Sequence, residues 1–256
     1  MSKATRFVSN AGEMSHFGLR AIASAFAPPY EWTASLQQLE EIGARSVPLI
    51  AAAGLALGVV LTLHTHATLI KFGAVALSPT LQAASFITEL GPLVTALLIA
   101  GRVGSGIGAE LANLRASEQI DAIDAMSVDS FKMLVVTRVV GCVIALPFLT
   151  LFMDFTSLLG GFISERLSSQ MSVALYVHRA FASLSWSDFL APTLKTCVFG
   201  FIIGSVSSFF GYTIDEGSAG VRKAATNSVV LSSLLIILSD VLLVKIIYFF
   251  FPGGAL

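Results

Sequence analysis

The sequence predicts an all-α integral membrane protein. It has an N-terminal interfacial amphipathic helix, five transmembrane helices, and a short cytoplasmic amphipathic helix between the second and third. Three observations carry that prediction. The 256 residues are 55 % hydrophobic and only 12 % charged, against about 25 % charged in an average soluble domain. Mean hydropathy is +0.83, more apolar side chain than a soluble core of this size can hide. Five separate stretches also reach the roughly 20 apolar residues that a helix needs to cross hydrocarbon. The net charge of −1 offers no footprint for nucleic acid.

Residues 1–45 form an N-terminal region, and 46–256 form the membrane domain. Within 5–42, Phe7, Val8, Phe17, Leu19, Ile22 and Phe26 mix with Lys3, Arg6, His16 and Arg20. Pro28-Pro29 interrupts the pattern before a second mixed stretch with Trp32, Leu36 and Leu39. Such patterning suits helix lying in the membrane interface; a mobile cytoplasmic tail is the alternative. Nothing in residues 1–30 resembles a cleavable signal.

The spans are expected at about 47–69, 79–101, 134–160, 190–212 and 229–251. His64 and His66 fall near the outer end of the first, and two-residue spacing on a helix points them to different faces. Interfacial histidines are therefore expected there, and no metal site. Between the third and fourth spans, 161–189 contains "SERLSSQMSVALYVHRAFASLSWSDF", which suits a short outer helix. A hydrolytic set of an outer Ser, His178 and Asp188 is conceivable, but nothing fixes its geometry. Gly54/Gly58, Gly104/Gly108 and Gly200/Gly204 repeat at four-residue spacing, which lets helices pack closely in lipid. Cys142 and Cys197 lie in apolar segments and read as small core residues. The chain has no P-loop, no G-x-S-x-G elbow and no H-E-x-x-H.

Lysine and arginine set the orientation. Lys3, Arg6, Arg20, Arg45, Arg102, Arg115, Lys132, Arg138, Arg222 and Lys223 fall on one side, ten in all. Lys71, Arg166, Arg179, Lys195 and Lys245 count toward the other, five in all, with Lys195 and Lys245 alternatively placed within spans, which makes the bias modest. The N-terminus is expected in the cytoplasm and the C-terminal "FPGGAL" outside.

The stretch 89–111, "ELGPLVTALLIAGRVGSGIGAEL", breaks the lipid-facing pattern. Glu89 lies close to the middle of its span, roughly 20 Å along the axis from Arg102 at 1.5 Å per residue. Arg102 can snorkel to the interface. Glu89 cannot, and a charge at mid-bilayer costs at least about 2.5–3.5 kcal/mol. Glu89 must face a protein interior or a wet cavity, or be a neutral acid bonded to a neighbouring helix. Asp154 and Asp240 are the other span acids, nearer the span ends. Pro92 removes the bond to the Thr88 carbonyl, and Gly91 beside it adds freedom, so a kink bordering a cavity is expected.

Hydrophobicity falls across 109–129, "AELANLRASEQIDAIDAMSVD", yet pattern persists. Ser117 can cap a helix with Glu118 in its first turn. Ile120, Ile123 and Met126 make an apolar stripe; Glu118, Asp121 and Asp124 make an acidic one. The helix reads as a solvated surface element or as one that docks into a groove on a soluble partner.

The combined segment resembles the signature region of the MlaE/YrbE permease family, membrane subunits of ABC transporters associated with MCE (mammalian cell entry) proteins. That family runs E-L-G-P, A-G-R-x-G-S, A-E-L and E-Q-I-D-A. Here Glu89 to Pro92, Ala100 to Ser105, Ala109 to Leu111 and Glu118 to Ala122 match. In "GYTIDEGSAGVRKAATNSVVLSS", Gly211, Gly217, Gly220, Val221, Val229, Val230 and Ser232 match the family's final loop and last span. Ser130 departs from a common Pro, and Arg222-Lys223 from a smaller or single-basic pattern.

The resemblance implies a homodimer in a bacterial inner membrane, serving as the permease subunit of an ATP-driven lipid transporter. Two copies of a cytoplasmic ABC ATPase would dock on a coupling helix at about 109–128. Glu110, Arg115, Glu118, Ile120, Asp121, Ile123, Asp124 and Met126 are the candidate contacts. A periplasmic MCE-domain ring would continue the lipid path, and in related Gram-negative systems a STAS-domain protein binds the ATPase. Phospholipid is the implied cargo, with Glu89, Gly91, Pro92 and Leu93 as cavity candidates. No cofactor is expected in this chain, because ATP and Mg belong to the ATPase; nor is enzymatic activity of its own. A passive scaffold for the ATPase and the ring is one alternative, and an ion-coupled carrier with Glu89 as proton site is another.

Overall fold

The computed structural model describes residues 3–28, 30–214 and 217–250. Pro29, Asp215, Glu216 and the "FPGGAL" tail lie outside the described residues, as do the side chains of Lys3, Arg6, Phe7 and Val8. Every regular element among the described residues is helical.

In chain order come α1 (Lys3–Ala25), α2 (Trp32–Ile42) and α3 (Val47–Lys71). α4 (Ser78–Ser85), α5 (Gly91–Ile99) and α6 (Ser105–Ala116) follow, joined by wide π turns at Phe86–Leu90 and Ala100–Gly104. After α7 (Gln119–Ala125), another π turn at Phe131–Val136 leads into α8 (Thr137–Ser169). α9 (Val173–Phe181), α10 (Trp186–Tyr212) and α11 (Gly217–Phe250) complete the chain. Among the described residues five runs are long and apolar enough to cross a membrane: Trp32–Lys71, Val75–Ala116, Phe131–Ser169, Trp186–Tyr212 and Ala219–Ile247. Each overlaps one expected span, and each of the first three extends well past it.

Contacts divide the chain into two groups. Among the described residues, the first holds those within 3–44, 96–145 and 197–237; the second holds those within 45–95, 146–196 and 238–250.

In the first group α1 is a packed helix and not a free tail. Phe17 and Ala21 are buried against Phe131, Val135, Val136 and Val139. The Phe17 ring meets Phe131 edge-on at 5.0 Å and Phe209 at 5.5 Å. Arg20 sits 4.1 Å over the Phe131 ring, a cation–π contact, and the Lys132 ammonium donates to the Ala27 carbonyl. Leu19, Phe26, Tyr30, Trp32 and Leu36 are exposed. An aromatic, apolar face of that kind suits the lipid interface.

The glycine pairs are packing features. In the first group a side chain at Gly200 or Gly204 would strike the backbone of Cys142 or Val139. One at Gly104 or Gly108 would strike Ser207 or Ser228. In the second, Gly54 and Gly58 press on Met153 and Ser157. Without a hydrophobic driving force in lipid, this close approach is where helices gain contact. Both cysteines are free.

The second group also contains the expected outer helix, as α9. Its Tyr176 and Ala180 bury against Ala83 and Ile87. The Tyr176 hydroxyl lies 2.8 Å from Gln82 Oε1 and 3.1 Å from the Leu158 carbonyl. Burial, and then the nearby Glu165 carboxylate, push that phenol above its usual range. The hydrolytic set does not assemble: His178 is exposed, and Asp188 accepts from the Ser185 amide at 2.8 Å, closing the turn before α10. His66 Nδ1 lies 3.3 Å from the Glu165 carboxylate, while His64 is exposed. Among the described residues no three His, Cys, Asp or Glu side chains form a metal-binding group.

Candidate functional site

Glu89 projects from a π turn. The Gly91 amide donates to the Phe86 carbonyl, five residues back. Pro92 has no amide to give the Thr88 carbonyl, and its ring crowds that carbonyl in a regular α turn. Widening the helix by one residue relieves both, and such bulges recur at functional positions. The kink expected at Pro92 takes this form. Gly91 and Pro92 are buried and Leu93 is half-buried.

Glu89 is not alone. Lys195 Nζ, on α10, donates to Glu89 Oε2 at 2.9 Å and lies 3.0 Å from Asp240 Oδ1 on α11. The Lys195 side chain is 1 % exposed and that of Asp240 7 %, whereas Glu89 is 40 % exposed. An ammonium withdrawn from water this completely needs paired carboxylates. Two acids against one base leave a carboxylate in excess, and the excess is accessible at Glu89. The cluster can accept hydrogen bonds from an ammonium or hydroxyl group arriving there.

Sequence reasoning missed both partners. Lys195 counted toward the outer charge, and Asp240 was placed nearer a span end; Asp154 in fact lies at the middle of α8 and Asp240 well inside α11. The usable signal was a lysine and an aspartate within apolar stretches, since intramembrane charges pair with one another.

The expected single helix at 109–128 is two helices. Ser117 does not cap forward: its hydroxyl donates back to the Asn113 carbonyl at 2.8 Å, closing α6. Glu118 follows in the left-handed region at φ 59°, a conformation that ends helices. Arg115 then bridges the break to Asp121 at 2.7 Å. Ile120 is fully buried, Ile123 half-buried and Met126 exposed, so the apolar stripe is part core and part surface. Glu110 accepts from Arg138 Nη2 at 2.7 Å, and buried Arg138 also donates to the Leu134 carbonyl at 2.6 Å. Asp124 accepts from the Ser130 amide at 3.2 Å, and the Ser130 hydroxyl lies 2.9 Å from the Tyr212 hydroxyl. Glu110, Glu118, Asp121, Asp124 and Met126 are the candidate contacts that stand exposed, Glu110 being the one held by a buried arginine.

The sequence matches the family described as permease MlaE over residues 35–246. A probable ABC transporter permease protein of Rickettsia conorii is 35 % identical over 233 residues, covering 91 % of this chain and 90 % of that protein. The intermembrane phospholipid transport system permease protein MlaE of Haemophilus influenzae is 32 % identical over 201 residues, 78 % of this chain and 77 % of its own. The chloroplastic protein TRIGALACTOSYLDIACYLGLYCEROL 1 of Arabidopsis thaliana is 33 % identical over 205 residues, 78 % of this chain and 57 % of its own.

Proposed function

Because the chain belongs to the MlaE permease family, a family of multi-pass ABC transporter permeases, we propose that it moves phospholipid as the membrane subunit of an ATP-driven transporter. The observation that carries this reading is the half-exposed Glu89 carboxylate backed by buried Lys195 and Asp240. It gives a polar head group a fixed partner inside apolar helices, while acyl tails need only the apolar walls. The phospholipid named for the Haemophilus relative supports the cargo.

The working unit is a homodimer in the inner membrane, N-termini cytoplasmic. Two ABC ATPase subunits, which bind ATP and Mg, dock on Glu118, Asp121, Asp124 and Met126. An MCE-domain ring continues the path on the periplasmic side, and a STAS-domain protein attaches to the ATPase where the system has one. Closure of the ATPase pulls α7, and the pull passes along the continuous run Val75–Ala116 to the π turn under Glu89. Lipid is moved because the two states hold it with different affinity.

The test is lipid transfer between liposomes by the purified complex. Glu89→Gln should assemble, keep ATPase association and lose transfer. Transfer undiminished in Glu89→Gln would make the chain a passive scaffold. Transfer by this chain alone, without the ATPase, would make it an ion-coupled carrier.

A further inference from the structure

Asp154 is a buried acid that the mechanism above leaves unused. It sits at the middle of α8, is 6 % exposed, and its Oδ1 has no hydrogen-bond partner. That oxygen lies against Gly91: any side chain at 91 would overlap it. Glycine is the residue that leaves room for the carboxyl at the end of the π turn.

The second group of helices also holds Glu89, Lys195 and Asp240, together with His66 and Glu165. Lys195 is held by Glu89 and Asp240, and His66 by Glu165. No cation is paired with Asp154 among the described ion pairs. A carboxylate buried without a counter-ion is far more costly than a neutral acid, and a membrane span raises that cost further.

We propose that Asp154 is a neutral carboxylic acid whose packed carboxyl positions Gly91, and through it the π turn that aims Glu89 at Lys195. The protonation state stands on burial and geometry alone. The positioning role rests on the reading of Glu89 given above.

Infrared difference spectra of the complete complex, wild type minus Asp154→Asn, test the first part. A protonated carboxyl band at neutral pH is expected, and an ionised carboxylate band overturns the proposal. Asp154→Ser, which also keeps space beside Gly91, supplies the same difference should the Asn variant fail to assemble. Lipid transfer and ATPase turnover test the second part. Asp154→Asn should stay within about threefold of wild type, since it keeps shape and neutrality; an assembled Asp154→Asn that loses more than about tenfold, roughly 1.4 kcal/mol, shows that the charge is required and overturns it. Gly91→Ala should lose transfer, and Gly91→Ala with Asp154→Ala should recover part of it. No recovery in the double variant removes Asp154 as the group that Gly91 accommodates. The infrared band does not depend on the cargo, so failure of the phospholipid reading would leave it in place.

Discussion

The Glu89 cluster and the α6–α7 corner use the same residue types to opposite ends. In the cluster, an ammonium 1 % exposed is held between two carboxylates. At the corner, Arg115 and Asp121 pair at 2.7 Å with side chains 33 % and 62 % exposed. Water screens the second pair and leaves its members available to a partner. Buried Lys195 has no water to fall back on, so it depends on its two carboxylates. A fully buried charge such as Lys195 is a structural commitment, whereas an exposed one, at the corner or at Glu89, is open to a partner.

Breaking the buried cluster should produce the largest effect. Lys195→Met strands two carboxylates and is expected to destabilise the protein by about 3–5 kcal/mol, read as a large fall in the thermal midpoint in detergent. Glu110→Ala comes next. It removes a partner of buried Arg138 and should cost about 1–3 kcal/mol by the same measurement. Arg115→Ala should cost no more than about 1 kcal/mol, and a larger loss would erase the contrast between the two regions. Met126→Asp should leave the thermal midpoint nearly unchanged and weaken co-purification of the ATPase; intact association would place docking elsewhere.

The smallest expected effect lies at α9. The neutral Tyr176 phenol is favoured in the fold, so its contribution is complete below about pH 10, the ordinary phenol value. It is lost as pH rises through the raised value. Hydrogen exchange in α9 should quicken selectively above that pH.

The spans were legible because a run of apolar residues long enough to cross hydrocarbon has few alternatives. Glu89 was legible for the same reason in reverse, since its charge is costly where it stands. Its partners were not, because Lys195 and Asp240 are brought to it only by the packing of α10 and α11. The break at Ser117 was read the wrong way round: a serine hydroxyl can cap a following helix or bond back to a preceding one, and the sequence does not say which. Ile120 and Met126 share a stripe, yet only tertiary packing separates the core end from the surface end. Pro92 signalled the wide turn at Phe86–Leu90, whereas those at Ala100–Gly104 and Phe131–Val136 contain no proline and gave no such signal.

The most direct measurement is ATP-driven phospholipid transfer by the reconstituted complex carrying Glu89→Gln. Assembly and ATPase binding should persist while transfer falls at least about tenfold, a loss of some 1.4 kcal/mol of transition-state stabilisation. Transfer at the wild-type rate would contradict the assignment of this carboxylate to the lipid path.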